Sequence, residues 1–164
     1  MSNKTKTTNE IELNFEVTDL VGLLEKLQKQ NTETTLSIKF HYFESATDKS
    51  FYIRTEEIKQ GKRLSKKLTI KYNFNNDSEK GLNKRTEMST DIKDVDYFIK
   101  FFTIIGLQYL GSKTKIRHHF EISGLDITVD EWDTKELGNR LEIEGQDIKK
   151  IMKFKNRLIR YIKK

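Results

Sequence analysis

Cysteine, proline and long apolar runs are all missing from this chain of 164 residues. Because cysteine is absent, disulfide bonds and thiolate metal ligands are excluded. No segment approaches the roughly 18 consecutive apolar residues of a membrane-spanning helix. The opening Met-Ser-Asn-Lys-Thr-Lys-Thr-Thr-Asn also lacks the apolar stretch of a secretory signal peptide. We therefore expect a cytoplasmic protein without a membrane partner.

Acidic residues are fewer than basic ones, 25 against 31, and the net charge of +6 corresponds to an isoelectric point of 9.3. The excess comes from one segment, since residues 149–164 hold eight Lys or Arg and no acidic residue. Without that segment, 23 basic residues face 25 acidic ones. Nucleic acid is therefore not the expected partner, and the tail is interpreted as a solvated helix face. A basic adaptor that acts through this helix is the alternative.

The length of the chain predicts one domain over residues 1–164. Hydrophobic residues make up 35% and charged residues 34% of the chain, with a mean hydropathy of −0.73, which suits a barrel with a polar interior. Residues 1–8 are expected to be disordered, and residues 147–164 to form the basic C-terminal helix. Period-2 alternation predicts strands at residues 9–17, 36–44, 50–56, 66–74, 83–90, 108–122, 125–132 and 138–145.

Three helices complete the predicted architecture. Thr18-Asp19, Asp94 and Asp147 are suitable helix N-caps, and each precedes apolar residues at helical spacing. Eight antiparallel strands in mostly sequential order favour closure, because a barrel has no exposed strand edge. The predicted fold class is therefore α+β, an eight-stranded antiparallel β-barrel with flanking helices.

Pairs of glutamates two residues apart occur near both ends of the chain. Glu10 and Glu12 lie in Glu-Ile-Glu-Leu, and Glu142 and Glu144 lie in Leu-Glu-Ile-Glu. On an extended strand, each pair points to one face while the intervening apolar residues pack on the other. Four inward carboxylates would repel one another unless cations lay among them. The spacing therefore suggests a divalent-metal site.

Basic residues follow the same alternation on several other predicted strands. Lys115 and Arg117 share one face, Arg85 shares a face with Glu87, and Asp130 lies on the polar face of the seventh strand. A polyphosphate with divalent cations would reconcile such a mixed interior, because phosphate oxygens accept hydrogen bonds from Lys and Arg while the metal bridges phosphate to carboxylate.

Taken in order, these motifs resemble those of the CYTH proteins, the triphosphate tunnel metalloenzymes. That family includes class IV adenylyl cyclases, thiamine triphosphatases and inorganic triphosphatases. The resemblance covers residues 9–145. It depends on Glu10-Ile-Glu12, Tyr42-Phe43-Glu44, Phe51-Tyr52-Ile53-Arg54, Leu68-Thr69-Ile70-Lys71, Arg85-Thr86-Glu87, Lys115-Ile116-Arg117, Asp130, Gly138 and Leu141-Glu142-Ile143-Glu144.

The resemblance implies a tunnel that binds a nucleoside or inorganic triphosphate lengthwise with Mg²⁺ or Mn²⁺. The residues at matching positions that would hold metal are Glu10, Glu12, Glu87, Asp130, Glu142 and Glu144. Those that would bind phosphate are Arg54, Lys71, Arg85, Lys115 and Arg117. The reaction is either conversion of ATP to cyclic AMP and pyrophosphate or hydrolysis of a triphosphate, and the choice stays open. A homodimer also stays open.

Two positions depart from the family pattern. Asn14 occupies the place of the lysine in Glu-x-Glu-x-Lys, and Tyr52 replaces an arginine two residues before Arg54. An amide supplies no cationic contact to phosphate and no proton-accepting amine. A weakly active or inactive nucleotide- or polyphosphate-binding module is therefore the alternative to an enzyme. The candidates for a catalytic residue are Lys39, Lys71 and Lys115, and those that could compensate for Asn14 are Lys39, Lys67, Lys113 and His119.

Overall fold

The computed structural model describes residues 6–29, 31–48, 50–77, 82–134 and 136–163. For residues 6–10, 73–77 and 82–85 it describes the backbone alone. The strands are β1 (Lys6–Glu16), β2 (Thr34–Glu44), β3 (Phe51–Gln60), β4 (Arg63–Asp77), β5 (Leu82–Asp91), β6 (Gln108–Ile122), β7 (Leu125–Trp132) and β8 (Asn139–Gly145). The helices are α1 (Leu20–Gln28), α2 (Val95–Ile104) and α3 (Ile148–Leu158), followed by a 3-10 helix at Ile159–Tyr161. Within these ranges, no helix has the length and apolar character needed to cross a bilayer.

The eight strands close into an antiparallel barrel in the order β1-β5-β4-β3-β2-β6-β7-β8. The predicted fold class is confirmed. Two meanders, β2 to β5 and β6 to β8, pair through β2 and β6, and β1 lies between β5 and β8. We call the two openings the Gly61 end, which carries the β3–β4 turn, and the Trp132 end, where β7 terminates.

Element boundaries follow local chemistry. Asp19, Asp94 and Asp147 each accept a hydrogen bond from a backbone N–H in the first turn of a helix, as N-cap residues do. Ser123 and Gly124 both have positive φ, which suits the two-residue turn between β6 and β7. The first strand begins at Lys6 rather than at residue 9, so residues 6–8, predicted to be disordered, pair with β5 instead. Residues 1–5 lie outside the described part of the chain.

The basic C-terminal segment forms a shorter helix than the predicted 147–164. Helical structure ends at Tyr161, and Ile162 then makes an isolated antiparallel bridge with Val17. Ile151 and Leu158 are buried, whereas most of the Lys and Arg side chains of the segment are exposed. The basic residues therefore form the solvated helix face that the sequence predicts.

The apolar core lies mainly outside the barrel wall rather than within it. On one side, α1 and α3 cover outward residues of β1, β7 and β8, where Leu13, Ile127 and Ile143 are almost fully buried. On the other side, Phe102 of α2 packs against Phe43 and Ile53. Because these apolar residues face outward, the polar residues that alternate with them face the barrel interior.

Candidate functional site

A polar cavity of about 280 Å³ occupies the half of the barrel nearer the Trp132 end. Each of the eight strands contributes at least one side chain to its wall. We call it the tunnel cavity. Its lining residues are Asn14, Tyr42, Tyr52, Arg54, Lys71, Glu87, Lys115, Arg117, Asp130, Trp132, Arg140, Glu142 and Glu144.

Three glutamates meet at one wall of the barrel, and we call them the acidic triad: Glu12, Glu142 and Glu144. The antiparallel register of β1 and β8 pairs Glu12 with Glu144 and places Asn14 opposite Glu142. One carboxylate oxygen from each lies within 4.8 Å of the others. Glu12 has no exposed surface, and the Asn14 amide donates a hydrogen bond of 2.8 Å to it. The predicted convergence of β1 and β8 carboxylates is therefore present for these three residues.

The donor set of the acidic triad fits a hard divalent cation. Carboxylate oxygens are the ligands that Mg²⁺ and Mn²⁺ prefer, and three carboxylates this close repel one another when no cation lies between them. Thr128, directly opposite Glu142 on β7, has a buried hydroxyl oxygen without a hydrogen-bond partner among the described residues. An unsatisfied buried hydroxyl beside crowded carboxylates is consistent with a site built around a polar ligand.

A first group of cations lies on β6, the buried Lys115 and the partly buried Arg117. Lys115 Nζ is 2.5 Å from Asp130 Oδ2, and Arg117 binds both oxygens of Asp130 at 2.7 and 2.8 Å. Arg117 also reaches Glu142 of the acidic triad at 3.3 Å. Burial, together with the neighbouring charge of Arg117, lowers the pKa of Lys115 to about 8, although Asp130 opposes the shift. This group therefore links the cations directly to the acidic triad.

A second group of charges lies across β3, β4 and β5. Arg54 Nε donates to Glu56 at 2.6 Å, and the Thr69 hydroxyl donates to the same carboxylate at 2.8 Å. Lys71 forms an ion pair with Glu87, and Arg54 Nη2 lies 4.0 Å from Glu87. Burial would lower the pKa of Arg54, but the charges of Glu56 and Glu87 outweigh it and raise that pKa. Arg54 therefore stays charged at neutral pH.

Aromatic rings support the two groups of cations. Phe40 lies between them, with its ring centre 5.1 Å from the Arg54 guanidinium and 5.0 Å from Lys115 Nζ. Lys115 Nζ also lies 4.8 Å from the ring of Trp132. Burial raises the pKa of Tyr42 to about 12, so its phenol keeps its proton. Cation–π contacts in a desolvated site hold these side chains in fixed positions.

The structure brings together most, but not all, of the predicted site residues. Lys71, Lys115, Arg54 and Arg117 line the tunnel cavity as the motifs suggested. Glu87 and Asp130 line it too, but each pairs with cations instead of joining the acidic triad. Cross-strand pairing places Glu10 opposite Arg85, and the side chains of both lie outside the described part of the structure.

The candidate lysines and the histidine that could compensate for Asn14 are scattered. Lys39 is exposed on the outer face of β2, because the buried Ile38 and Phe40 face inward on either side of it. Lys113 lies 6.0 Å from the ring of Tyr42 near the cavity. His119 binds Asp126 at 3.0 Å, and Lys67 lies in a different cleft, at the Gly61 end.

Sequence reasoning missed several residues of the site. Glu56 was predicted only as the end of a strand, although its even number places it on the same face as Arg54. Arg140 lines the cavity two residues before Glu142, and the same alternation would have found it. Phe40 carries no charge and lies outside the quoted motifs, so no pattern pointed to it, and Tyr42 was quoted within a motif without a predicted role in the site.

Comparison with known proteins reveals similarity in structure alone, since no family model and no curated relative matches the chain. An adenylate cyclase candidate from Vibrio parahaemolyticus superposes with a TM-score of 0.64 and 17% identity, covering 93% of this chain and 86% of that one. A candidate adenylyl cyclase from Hippeastrum, described as having a dominant triphosphatase activity, gives 0.68 and 14%, over 92% and 86%. A chain of the Schizosaccharomyces pombe Mediator head module gives 0.73 and 9%, over 95% and 97%.

These similarities establish the fold. The chain has the same barrel fold as these solved structures, two of which are described as adenylate or adenylyl cyclase candidates. At identities of 9% to 17%, a shared fold does not carry a shared reaction. Any functional assignment must therefore come from the tunnel cavity itself.

Proposed function

We propose that the protein is a metal-dependent enzyme that binds a linear triphosphate in the tunnel cavity and catalyses attack on one of its phosphorus atoms. The observation that carries the proposal is that Glu142 and Glu144 of the acidic triad line the same space of about 280 Å³ as four of the cationic side chains predicted to bind phosphate. Neither group alone would suggest phosphoryl chemistry, because isolated acidic or basic strand faces are usually solvated. Together they match the charges of a metal triphosphate.

Four cationic side chains of the cavity wall would hold the phosphate chain. Arg54, Lys71, Lys115 and Arg117 come from β3, β4 and β6, so their charges would lie along one side of a ligand in the cavity. Carboxylates and aromatic rings already fix these side chains, which reduces the reorganisation needed when charge develops on the phosphoryl oxygens. Electrostatic stabilisation of that kind supplies most of the catalysis in phosphoryl transfer.

Glu12, Glu142 and Glu144 are the residues that would hold Mg²⁺ or Mn²⁺. The bound cation would supply charge neutralisation on the phosphate oxygens. Arg117 contacts both Asp130 and Glu142, so it couples the acidic triad to the phosphate-binding side chains. Lys115 is the candidate for proton transfer, since a pKa of about 8 lets it exist in both protonation states near neutral pH.

Two reactions fit this site equally well. Attack by a ribose 3′ hydroxyl on the α-phosphorus would produce cyclic AMP and pyrophosphate, whereas attack by water on the terminal phosphorus would release phosphate. Incubation with ATP, tripolyphosphate and thiamine triphosphate, each with Mg²⁺ or Mn²⁺, separates them by product. We expect metal-dependent release of phosphate or pyrophosphate from at least one substrate. Absence of turnover on all three, with either metal, would contradict an enzyme.

A second candidate function is a binding module without catalysis. It is favoured by Asn14, whose amide donates to Glu12 and therefore serves the acidic triad rather than a phosphate. A chain of the Mediator head module has a similar fold, so the barrel is also compatible with a place in a protein assembly. Calorimetry with tripolyphosphate and Mn²⁺ would distinguish the two: the module binds with no product formed, whereas the enzyme binds and turns over.

A further inference from the structure

A second cleft, larger than the tunnel cavity, lies at the Gly61 end of the barrel. It has a volume of about 720 Å³ and is lined by Leu36, Ile58, Gln60, Arg63, Leu64, Ser65, Lys66, Lys67, Asp91, Ile92 and Lys93. We call it the rim cleft. Among the described residues, none lines both the rim cleft and the tunnel cavity. The function proposed above does not use it.

Buried side chains separate the two spaces. On β2, β3 and β4, the inward residues between them are Ile38, Phe40, Glu56 and Thr69, with exposures of 3%, 2%, 6% and 1%. Glu56 and Thr69 are hydrogen-bonded to each other across this layer. A ligand in the rim cleft would therefore not reach the acidic triad, and the two sites can be tested independently.

Positive charge dominates the rim cleft. Arg63, Lys66, Lys67 and Lys93 face a single carboxylate in the lining, Asp91. Lys66 lies 4.0 Å from Glu57, while Arg63, Lys67 and Lys93 make no ion pair with any side chain that the structure describes. Cations that pair with no described side chain, grouped around a concave surface, favour an anionic ligand.

Apolar side chains form the rest of the rim cleft. Leu36 and Ile58 face inward on β2 and β3, and Ile92 lies beside them in the lining. On the same two strands, the residues that line the tunnel cavity are aromatic or charged: Tyr42, Tyr52 and Arg54. Leu64 is 57% exposed beside Arg63, although β4 could place a polar residue there at no cost to the core. An exposed leucine and partly buried apolar residues, next to cations without a partner among the described residues, indicate a ligand with both an apolar and an anionic part.

We infer that the rim cleft binds a phosphomonoester of an apolar alcohol. A phosphomonoester carries close to two negative charges at neutral pH, which suits several cations better than a carboxylate does. The Arg63 guanidinium can bind two phosphate oxygens at once, and Lys67 and Lys93 add point charges. Leu36, Ile58 and Leu64 would contact the apolar group of the ligand.

The experiment is a titration of the full ¹⁵N-labelled chain with 1-naphthyl phosphate, followed by two-dimensional NMR. We expect saturable shifts in the amides of residues 58–67 and 91–93, with affinity at least about tenfold higher than for inorganic phosphate or for 1-naphthol alone. Shifts confined to residues of the tunnel cavity would overturn the inference. So would equal affinity for inorganic phosphate, because the apolar lining would then have no role.

Variants make the test specific. Combined Arg63→Gln and Lys67→Gln should weaken the binding of 1-naphthyl phosphate about tenfold or more. The matched control, Lys59→Gln with Lys62→Gln, removes the same charge from the same hairpin and should change that binding less than about twofold. Leu64→Ser, at an exposed position that folding does not need, should weaken 1-naphthyl phosphate but not inorganic phosphate. Binding of tripolyphosphate with Mn²⁺ should persist in all of them. Equal losses in the control pair would contradict a defined site.

Discussion

The two faces of strand β8 show how this fold separates stability from chemistry. Leu141 and Ile143 face outward into the core beneath α3 and have no exposed surface. Glu142 and Glu144, the alternating residues, face the tunnel cavity. Four consecutive residues therefore alternate between packing in the core and lining the cavity. The barrel wall is stabilised from outside, which leaves its interior available for charged side chains.

The difference has an energetic origin. Burial of an apolar side chain in the outer core stabilises the fold by roughly 1.5 to 3 kcal/mol. The inward carboxylates lie close together and lose hydration, which disfavours folding unless cations compensate. Substitutions on the two faces should therefore have different consequences, inside for activity and outside for stability.

Glu144→Gln should have the largest effect, and it falls on the inner face. It keeps the shape of the side chain but removes one charged oxygen donor from the acidic triad, so we expect kcat/KM on the turned-over triphosphate to fall by about 10² to 10³. The melting temperature should stay unchanged or rise, because carboxylate repulsion is relieved. A parallel loss of stability and activity would show that the inner face, too, serves the fold.

Ile143→Ala tests the outer face. Removal of three methyl or methylene carbons from a fully buried site should lower the free energy of unfolding by about 3 kcal/mol, measured by urea denaturation, with kcat/KM unchanged well below the melting temperature. Ile116→Ala is the matched control, since Ile116 also faces outward but is 39% exposed. We expect the control to lose less than about 1 kcal/mol. Equal losses would remove the distinction between covered and uncovered wall.

Alternation along the strands explains why so much could be predicted from sequence. It assigned Glu12, Glu142 and Glu144 to the interior and Ile143 to the core, because side-chain direction on a strand depends only on parity. Ion pairing could not be predicted, since it depends on register and on side-chain reach. Asp130 lies opposite Arg117 across β6 and β7, and this pairing places it with cations rather than with the acidic triad.

The rim cleft shows the other limit of sequence reasoning. β3 and β4 extend to Gln60 and Arg63, around a turn of only two residues, whereas the sequence predicted a longer turn. The added residues form part of the wall of the rim cleft, so no motif could have indicated it. Gly61 permits the tight turn through a positive φ of 58°.

A cluster of one histidine and two glutamates on the outer wall, which we call the His118 cluster, predicts that the stability of the fold depends on pH. His118 lies between Glu33 and Glu131, with ring nitrogens 2.5 and 2.6 Å from their oxygens. Burial lowers the pKa of His118, but these two hydrogen bonds outweigh it and raise that pKa above 6.5. Burial would raise the pKa of Glu33, yet its hydrogen bonds, above all that with His118, bring it down to about 2.

The direction of each pKa shift defines the pH range in which that residue stabilises the fold. The contribution of His118 is complete below pH 6.5 and is lost as the pH rises through its folded-state pKa; that of Glu33 is complete above pH 4.5 and is lost as the pH falls towards about 2. His118→Gln should therefore lower stability by about 1 kcal/mol at pH 5.5 and by less at pH 9, measured by thermal unfolding. His119→Gln is the control, with a smaller effect because His119 is more exposed. A loss of stability that is independent of pH would contradict a stabilising role for the charged form of the His118 cluster.

Asn14→Lys tests whether the inner face lacks a cation, and we expect its effect to be the smallest among these substitutions. Asn14 is exposed in the cavity opposite Glu142, so a lysine there can reach phosphate without disturbing the core. We expect kcat to rise by up to about tenfold, because an added cation stabilises charge on the phosphoryl oxygens, while stability changes by less than about 0.5 kcal/mol. Asn14→Met, of similar length but uncharged, removes the hydrogen bond to Glu12 without supplying the cation. If Met and Lys raise kcat equally, the amide itself restrains the acidic triad, and the positive charge at this position is not what the site lacks.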